Sequence, residues 1–175
     1  MKYFTRDLYQ RCRSTDEAVL SAACAEWEQA NAVYEQHLTA IELEFPPHLR
    51  EFAALLLHDA KVQSIARQGN QLILVLHKDI PPRDLVILSY ELDGEPVVEP
   101  FADAPADWTR PTTFQFDELD IVRAGEGKLY SQSIVFGNGW LMRLRFRDVR
   151  LTVAESMYPA AVSGSLPTLA LPQSA

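Results

Sequence analysis

The feature that most constrains this chain is a change of period near residue 60. Before it, apolar residues recur at helical spacing. After it, they come in short runs of alternating or continuous apolar residues bounded by turn residues. A 3.6-residue period marks an amphipathic helix and a 2-residue period a half-buried strand. A run of helix text followed by a run of strand text implies an α+β fold rather than alternating βαβ units. The expectation is an N-terminal helical hairpin, residues 14–57, packed on a mostly antiparallel sheet of about six strands, residues 60–153, that can curl toward a barrel.

In the helical part, Ser14 and Glu17 have the spacing of a capping box. Leu20, Cys24, Trp27, Asn31, Tyr34, Leu38 and Ile41 then form a stripe that predicts a helix over about 15–43. The sequence "FPPHLREF" stops it, and Pro47 suits the first turn of a second helix running to Leu57. "MKYFT" at the start reads as a short edge strand.

In the sheet part, 60–67 and 71–77 flank Gly69-Asn70 and read as a hairpin. Leu72 to Leu76 are all apolar, which predicts a strand covered on both faces. Further strands are expected at 84–92, 112–122, 128–136 and 140–153. "GNG" at 137–139 turns the last pair. Residues 93–112 are proline-rich without a period and read as a loop. Residues 63–80 echo 132–149, with Gln63, Ser64, Ile65, Leu72 and Asp79 repeated at Gln132, Ser133, Ile134, Leu141 and Asp148. Shared hairpin chemistry accounts for this echo, and a duplication is the alternative. Residues 1–155 read as one domain. Residues 156–175 carry no charge and form a separate tail.

A chain of 175 residues with 47% hydrophobic content can bury a core without disulfides or metal. Its net charge of −8 argues against nucleic acid and anionic membranes as partners. Two cysteines, Cys12 and Cys24, lack a paired ligand pattern and read as reduced. No stretch reaches the ~20 apolar residues of a membrane span. These features point to a soluble cytoplasmic protein.

"EWEQANAVYEQHL", "LLLHDAKV", "DLVILSYEL", "FDELDIV" and "SIVFGNGWLMRLRFRDVRL", with "MKYFT" ahead of them, resemble an uncharacterised family of small bacterial proteins, a domain of unknown function. That resemblance spans roughly residues 1–153 and implies no catalytic residues. In layout, the His-Asp pair ahead of a strand and the Asn-Gly hairpin resemble bacterial toxin-immunity proteins.

Three candidate sites follow from the residues. His58-Asp59 is either an acid/base or metal-binding dyad or the connector between helix and sheet, and the connector is favoured. With His77 it makes a three-ligand set for a divalent metal. A His-Asp phosphohydrolase reading would add His37 but needs helices where strands are written. The stripe Arg143, Arg145 and Arg147 alternates with Met142, Leu144 and Phe146, so the arginines share one face of a strand. It reads as an acidic-partner site, or as cross-strand pairing with Asp117, Glu118 and Asp120. Trp108 and Phe101, in the proline-rich loop, are candidate exposed contacts. No phosphate loop or nucleophile elbow is present.

The leading functional expectation is a non-enzymatic protein-binding module, with an immunity-like role as its specific form and no cofactor. A metal-dependent or acid/base enzyme at His58-Asp59 and a small-molecule binder are the alternatives. A homodimer through the tail or an edge strand is a further expectation.

Overall fold

The computed structural model describes residues 1–78, 83–101, 112–124 and 127–155. Trp108 and the 156–175 tail lie outside them. The first helix, α1 (Arg6–Arg11), was not expected from the sequence. Thr5 caps it by accepting the Leu8 amide, and Asp7 pairs with Arg11 one turn on. The "MKYFT" segment ahead of it is not a strand. The amides of Lys2, Tyr3 and Phe4 all go to the Glu118 carboxylate, which takes the place of a neighbouring strand.

Helix α2 (Glu17–Ile41) starts at Asp16, not Ser14. Asp16 accepts the Ala18 and Val19 amides, while Ser14 Oγ accepts the amide of Asp16 itself. Only Ala23 and Tyr34 of α2 are buried. A 3-10 turn (Glu42–Glu44) leads to α3 (Pro47–Ala53), with proline at the first helical position as expected. This helix ends four residues before the expected Leu57. Beyond it, neighbouring side chains part company: Leu57 is 5% exposed and joins the core, whereas Leu56 is 70% exposed.

Seven strands follow: β1 (Ala60–Gln68), β2 (Gln71–His77), β3 (Asp84–Leu92), β4 (Val97–Pro100), β5 (Thr113–Ala124), β6 (Gly127–Phe136) and β7 (Trp140–Glu155). The α+β expectation is met, and the sheet does curl into a ring. The hydrogen-bonded order is β3-β2-β1-β5-β6-β7-β4, and an added β3–β7 pairing closes it. Every pairing is antiparallel. β4 is the strand hidden in the proline-rich stretch. It continues β3 along the same edge of β7, after a break at residues 93–96. β7 therefore meets β6 on one edge, and β4 and then β3 on the other. The two echoing hairpins contribute β2 and β7, which flank β3.

Residues directly opposite in antiparallel strands share a face. The pairs Tyr130–Phe146, Gln132–Leu144 and Ile134–Met142 point into the barrel with Leu74, Leu88 and Tyr90. Phe45, Leu49 and Phe52 join that same core from the α3 region, with Phe52 edge-on to Tyr90 at 6.2 Å. Burying each such side chain contributes roughly 1.5–3 kcal/mol. β2 is not covered on both faces. Leu72, Leu74 and Leu76 are buried, whereas Ile73 is 37% exposed, because the barrel hides one face of the strand.

A second, smaller core lies outside the barrel. Phe116, Val135 and Leu141 face outward and are covered by Tyr9 of α1 and Trp27 of α2, with buried Phe101. Phe101, expected as an exposed contact, is thus a core residue.

The seam between β1 and β5 is short, pairing only Ala60 with Phe114 and Lys61 with Thr113. β5 then leaves β1 behind, and its edge is closed by other means. The Tyr34 hydroxyl accepts the Leu119 amide at 2.6 Å, and Asp120 accepts the Ile121 amide through its own side chain. Side chains placed this way blunt a strand edge against further pairing. Among the described residues no helix is long and apolar enough to cross a membrane.

Candidate functional site

The His58-Asp59 corner lies between α3 and β1, not in a last helical turn. Asp59 has φ 62, a left-handed conformation that Asp tolerates better than most residues. Its amide donates to the Phe114 carbonyl at 2.8 Å, which starts the β1–β5 seam. The Gln115 side chain donates to Asp59 Oδ1 at 2.9 Å. His58 Nδ1 faces the Gln115 carbonyl oxygen, and Nε2 lies 3.3 Å from Asp59 Oδ2. Both ring nitrogens therefore face acceptors of the protein itself. In an acid/base dyad the carboxylate orients one nitrogen and leaves the other for substrate. Here the carboxylate sits on the nitrogen that a substrate would need.

The three-ligand metal set does not assemble. His77 stands opposite Lys61 at the end of β2 and has partners of its own. Among the described residues no group of three His, Cys, Asp or Glu side chains is placed to hold a metal ion. His37 and His48 are spent elsewhere. Each clips a helix to the barrel, His37 to Asp120 at 3.1 Å and His48 to Asp148 at 2.6 Å.

The arginine stripe faces outward, a point the sequence left open, and its acids differ from those expected. Arg143 pairs with Glu99 of β4 at 2.6 Å. Arg145, at 2.6 Å, and Arg147 both pair with Asp93, in the break between β3 and β4. The hydrogen bond from Arg145, together with Arg147, holds the Asp93 carboxyl below the usual carboxylate range. Glu118 is instead consumed by the N-terminal amides, and Asp117 points inward. The expected partners fail because residues opposite the arginines on β6 are Ser131 and Ser133, which puts β5 a strand too far away.

Asp117 is the unexpected group. It follows a bulge at Phe114/Phe116 in β5, which sets its side chain toward the barrel interior. Gln132 Nε2 donates to its Oδ2 at 2.6 Å, and the Tyr90 hydroxyl donates to Gln132 Oε1 at 2.7 Å. Burial pushes the Asp117 carboxyl up to about 6, against the Gln132 hydrogen bond that lowers it.

A cavity of about 830 Å³ opens between the helices and the rim of the barrel. Tyr9, Trp27 and Phe116 form an aromatic floor, with Trp27 edge-on to Phe116 at 4.8 Å. Arg13, Glu28 and His58 supply charged and polar groups to its walls. The rim on the sheet side is made by Thr113 and by Gly137-Asn138 of the β6–β7 turn. Gly137 is required by close approach: a Cβ there would stand 2.5 Å from Thr113 Oγ1. Its amide donates to the Thr113 carbonyl at 2.9 Å, which draws the turn onto β5.

Cys12, which caps the end of α1, and Cys24 of α2 reach the same cavity and are both free. Burial, then the neighbouring Cys24, pushes the Cys12 thiol up. A thiol held protonated is a poor nucleophile.

Of the sequence-level candidates among the described residues, only His58 reaches this cavity. Tyr9, Cys12, Arg13, Glu28 and Asn138 were missed. A single signal hinted at them: Cys24 and Trp27 stand on the helical stripe at a one-turn spacing. Comparison with family models and with curated proteins finds no match for the chain.

Proposed function

We propose that this protein is a non-enzymatic binding module that holds a small organic ligand in the cavity between the helices and the barrel. The carrying observation is the cavity itself. It is of ligand size and sets polar and charged groups around an aromatic floor, so it can both bury and orient a small molecule. Catalysis has less support. His58 turns both nitrogens to the protein, and burial holds the Cys12 thiol protonated. A cytoplasmic setting fits the two free thiols.

The protein-binding reading keeps one observation. Arg145 and Arg147 remain 56% and 60% exposed although paired, so an acidic partner could exchange with Asp93. The immunity-like role is a special case of it. Loss of a captured acidic partner on double charge reversal at Arg143 and Arg145 would favour this second reading.

The ligand reading is tested by a thermal-shift screen of a fragment library, repeated on Cys24→Phe. The new ring fills the cavity from an exposed position of α2. Fragments that stabilise the native chain and lose their effect in the variant support the proposal. Fragments that act equally on both, or none that act at all, overturn it.

A further inference from the structure

The two charges on the cavity walls point to the kind of ligand it takes. Arg13 follows α1. Its guanidinium lies over the Tyr9 ring, 5.5 Å from the centroid, and its hydrogen-bond partner is the Tyr9 hydroxyl at 3.4 Å. No carboxylate pairs with it among the described residues. Arg11, two residues earlier, is by contrast held by Asp7 and Glu26. Glu28 lies on α2, on the same cavity, and no cation pairs with it among the described residues. The two charges thus share one cavity without meeting each other.

Each group alone would select a different ligand. A guanidinium stacked on an aromatic ring is pre-organised to take a carboxylate in a bidentate grip. A lone carboxylate beside aromatic rings favours an ammonium group. A ligand with only a negative charge meets Glu28, and one with only a positive charge meets Arg13. Both charges are satisfied together by a molecule carrying both signs. The floor of Tyr9, Trp27 and Phe116 asks for a flat apolar body between or beside them.

We infer that the cavity binds a small aromatic zwitterion, with its carboxylate on Arg13, its ammonium on Glu28 and its ring on Trp27 and Phe116. An aryl α-amino acid is the simplest such molecule. The cavity volume leaves room for a second residue. This inference rests on the ligand-binding reading above.

The test is calorimetric titration of the full chain with four matched indoles: L-tryptophan, tryptamine, indole-3-propionate and indole. L-tryptophan is expected to bind tightest, by about tenfold over either singly charged compound, the scale of one charge-assisted contact. Arg13→Gln should weaken L-tryptophan about tenfold and leave tryptamine unchanged or tighter. Glu28→Gln should do the converse with indole-3-propionate. The dipeptide Trp-Gly, whose charges lie farther apart, separates a free amino acid from a peptide as the source: whichever binds tighter names it. Equal affinity for all four indoles overturns the zwitterion while leaving the cavity as a ligand site. The same holds if none binds although the fragment screen finds cavity-dependent hits. Failure of both the indoles and the screen removes the ligand-binding reading itself.

Discussion

Glu118 accepts the backbone amide of Phe4 at 2.7 Å across 114 residues of sequence. The same carboxylate takes the amides of Lys2 and Tyr3, so one side chain of β5 fixes the whole N-terminal segment. Glu118 is 8% exposed, which makes these bonds shielded and charge-assisted. Glu118→Ala is expected to cost about 2–4 kcal/mol, since three donors lose one ionised acceptor. Glu118→Gln, which keeps one acceptor oxygen, should cost roughly half as much. Urea unfolding followed by tryptophan fluorescence measures both. An Ala variant within experimental error of the native chain would contradict this role.

Asp117 makes stability depend on pH in a direction opposite to most carboxylates. Its folded value, about 6, stands above the ordinary 3.8 of an aspartate. The folded chain therefore holds this proton more tightly than the unfolded chain. The contribution is fully present below pH ~4 and is lost as pH rises through about 6. Asp117→Asn removes the charge and keeps an acceptor for Gln132. It should gain about 3 kcal/mol over the native chain at pH 8, and the gain should fall to a small fraction of that near pH 4. Denaturation curves across that range decide the matter, and a gain independent of pH would count against a buried charge.

Tyr34 closes an edge as well as filling space. Its hydroxyl is the partner of the Leu119 amide, and burial, with Asp117 nearby, pushes its own ionisation far up. Tyr34→Phe leaves the amide without that acceptor, at a cost of about 1–3 kcal/mol. Hydrogen exchange should show the Leu119 amide losing protection while β2 and β3 keep theirs. Uniform loss across the sheet would mean that the hydroxyl matters only to global stability.

Gly137 sets the width of the cavity rim. Gly137→Ala brings a Cβ to 2.5 Å from Thr113 Oγ1, so turn and strand must part. A cost of about 1–3 kcal/mol is expected, typical of overpacking. Thr113→Ala in the same chain removes the clashing atom and should restore most of it. The double variant separates crowding from backbone strain: no recovery would show that the contact is not the cause.

The sheet was legible because its signal is local. Gly69 and Gly139 take φ 59 and φ 83 in turns of the kind that Gly-Asn and Asn-Gly announce, and strand boundaries fall within a few residues of the alternation. Helix α2 was legible from its stripe. Short elements were not. α1 has six residues and β4 four, too few for a period to emerge, and prolines surround β4. Alternation placed the three arginines on one face of the strand but did not say whether that face is exposed. Their partners were not legible, because they depend on which strand lies alongside. The cavity was the least legible of all. Its walls come from α1, α2, the start of β5 and the β6–β7 turn, and no local pattern says that these segments meet. Asp117 hid for a related reason: a single bulged residue decides which way it points.

The sixteen-residue strand β7 touches three other strands, and it follows all of them in chain order. On a ribosome, the first hairpins would be complete while β3 still lacked its outer neighbour. Until β7 arrives, the nascent chain is an open sheet with the apolar inner faces of β2 and β3 unsealed. Such a sheet invites pairing with other chains. Closure of the ring thus waits for β7, and a message cut short before residue 140 would yield a chain with an adhesive edge.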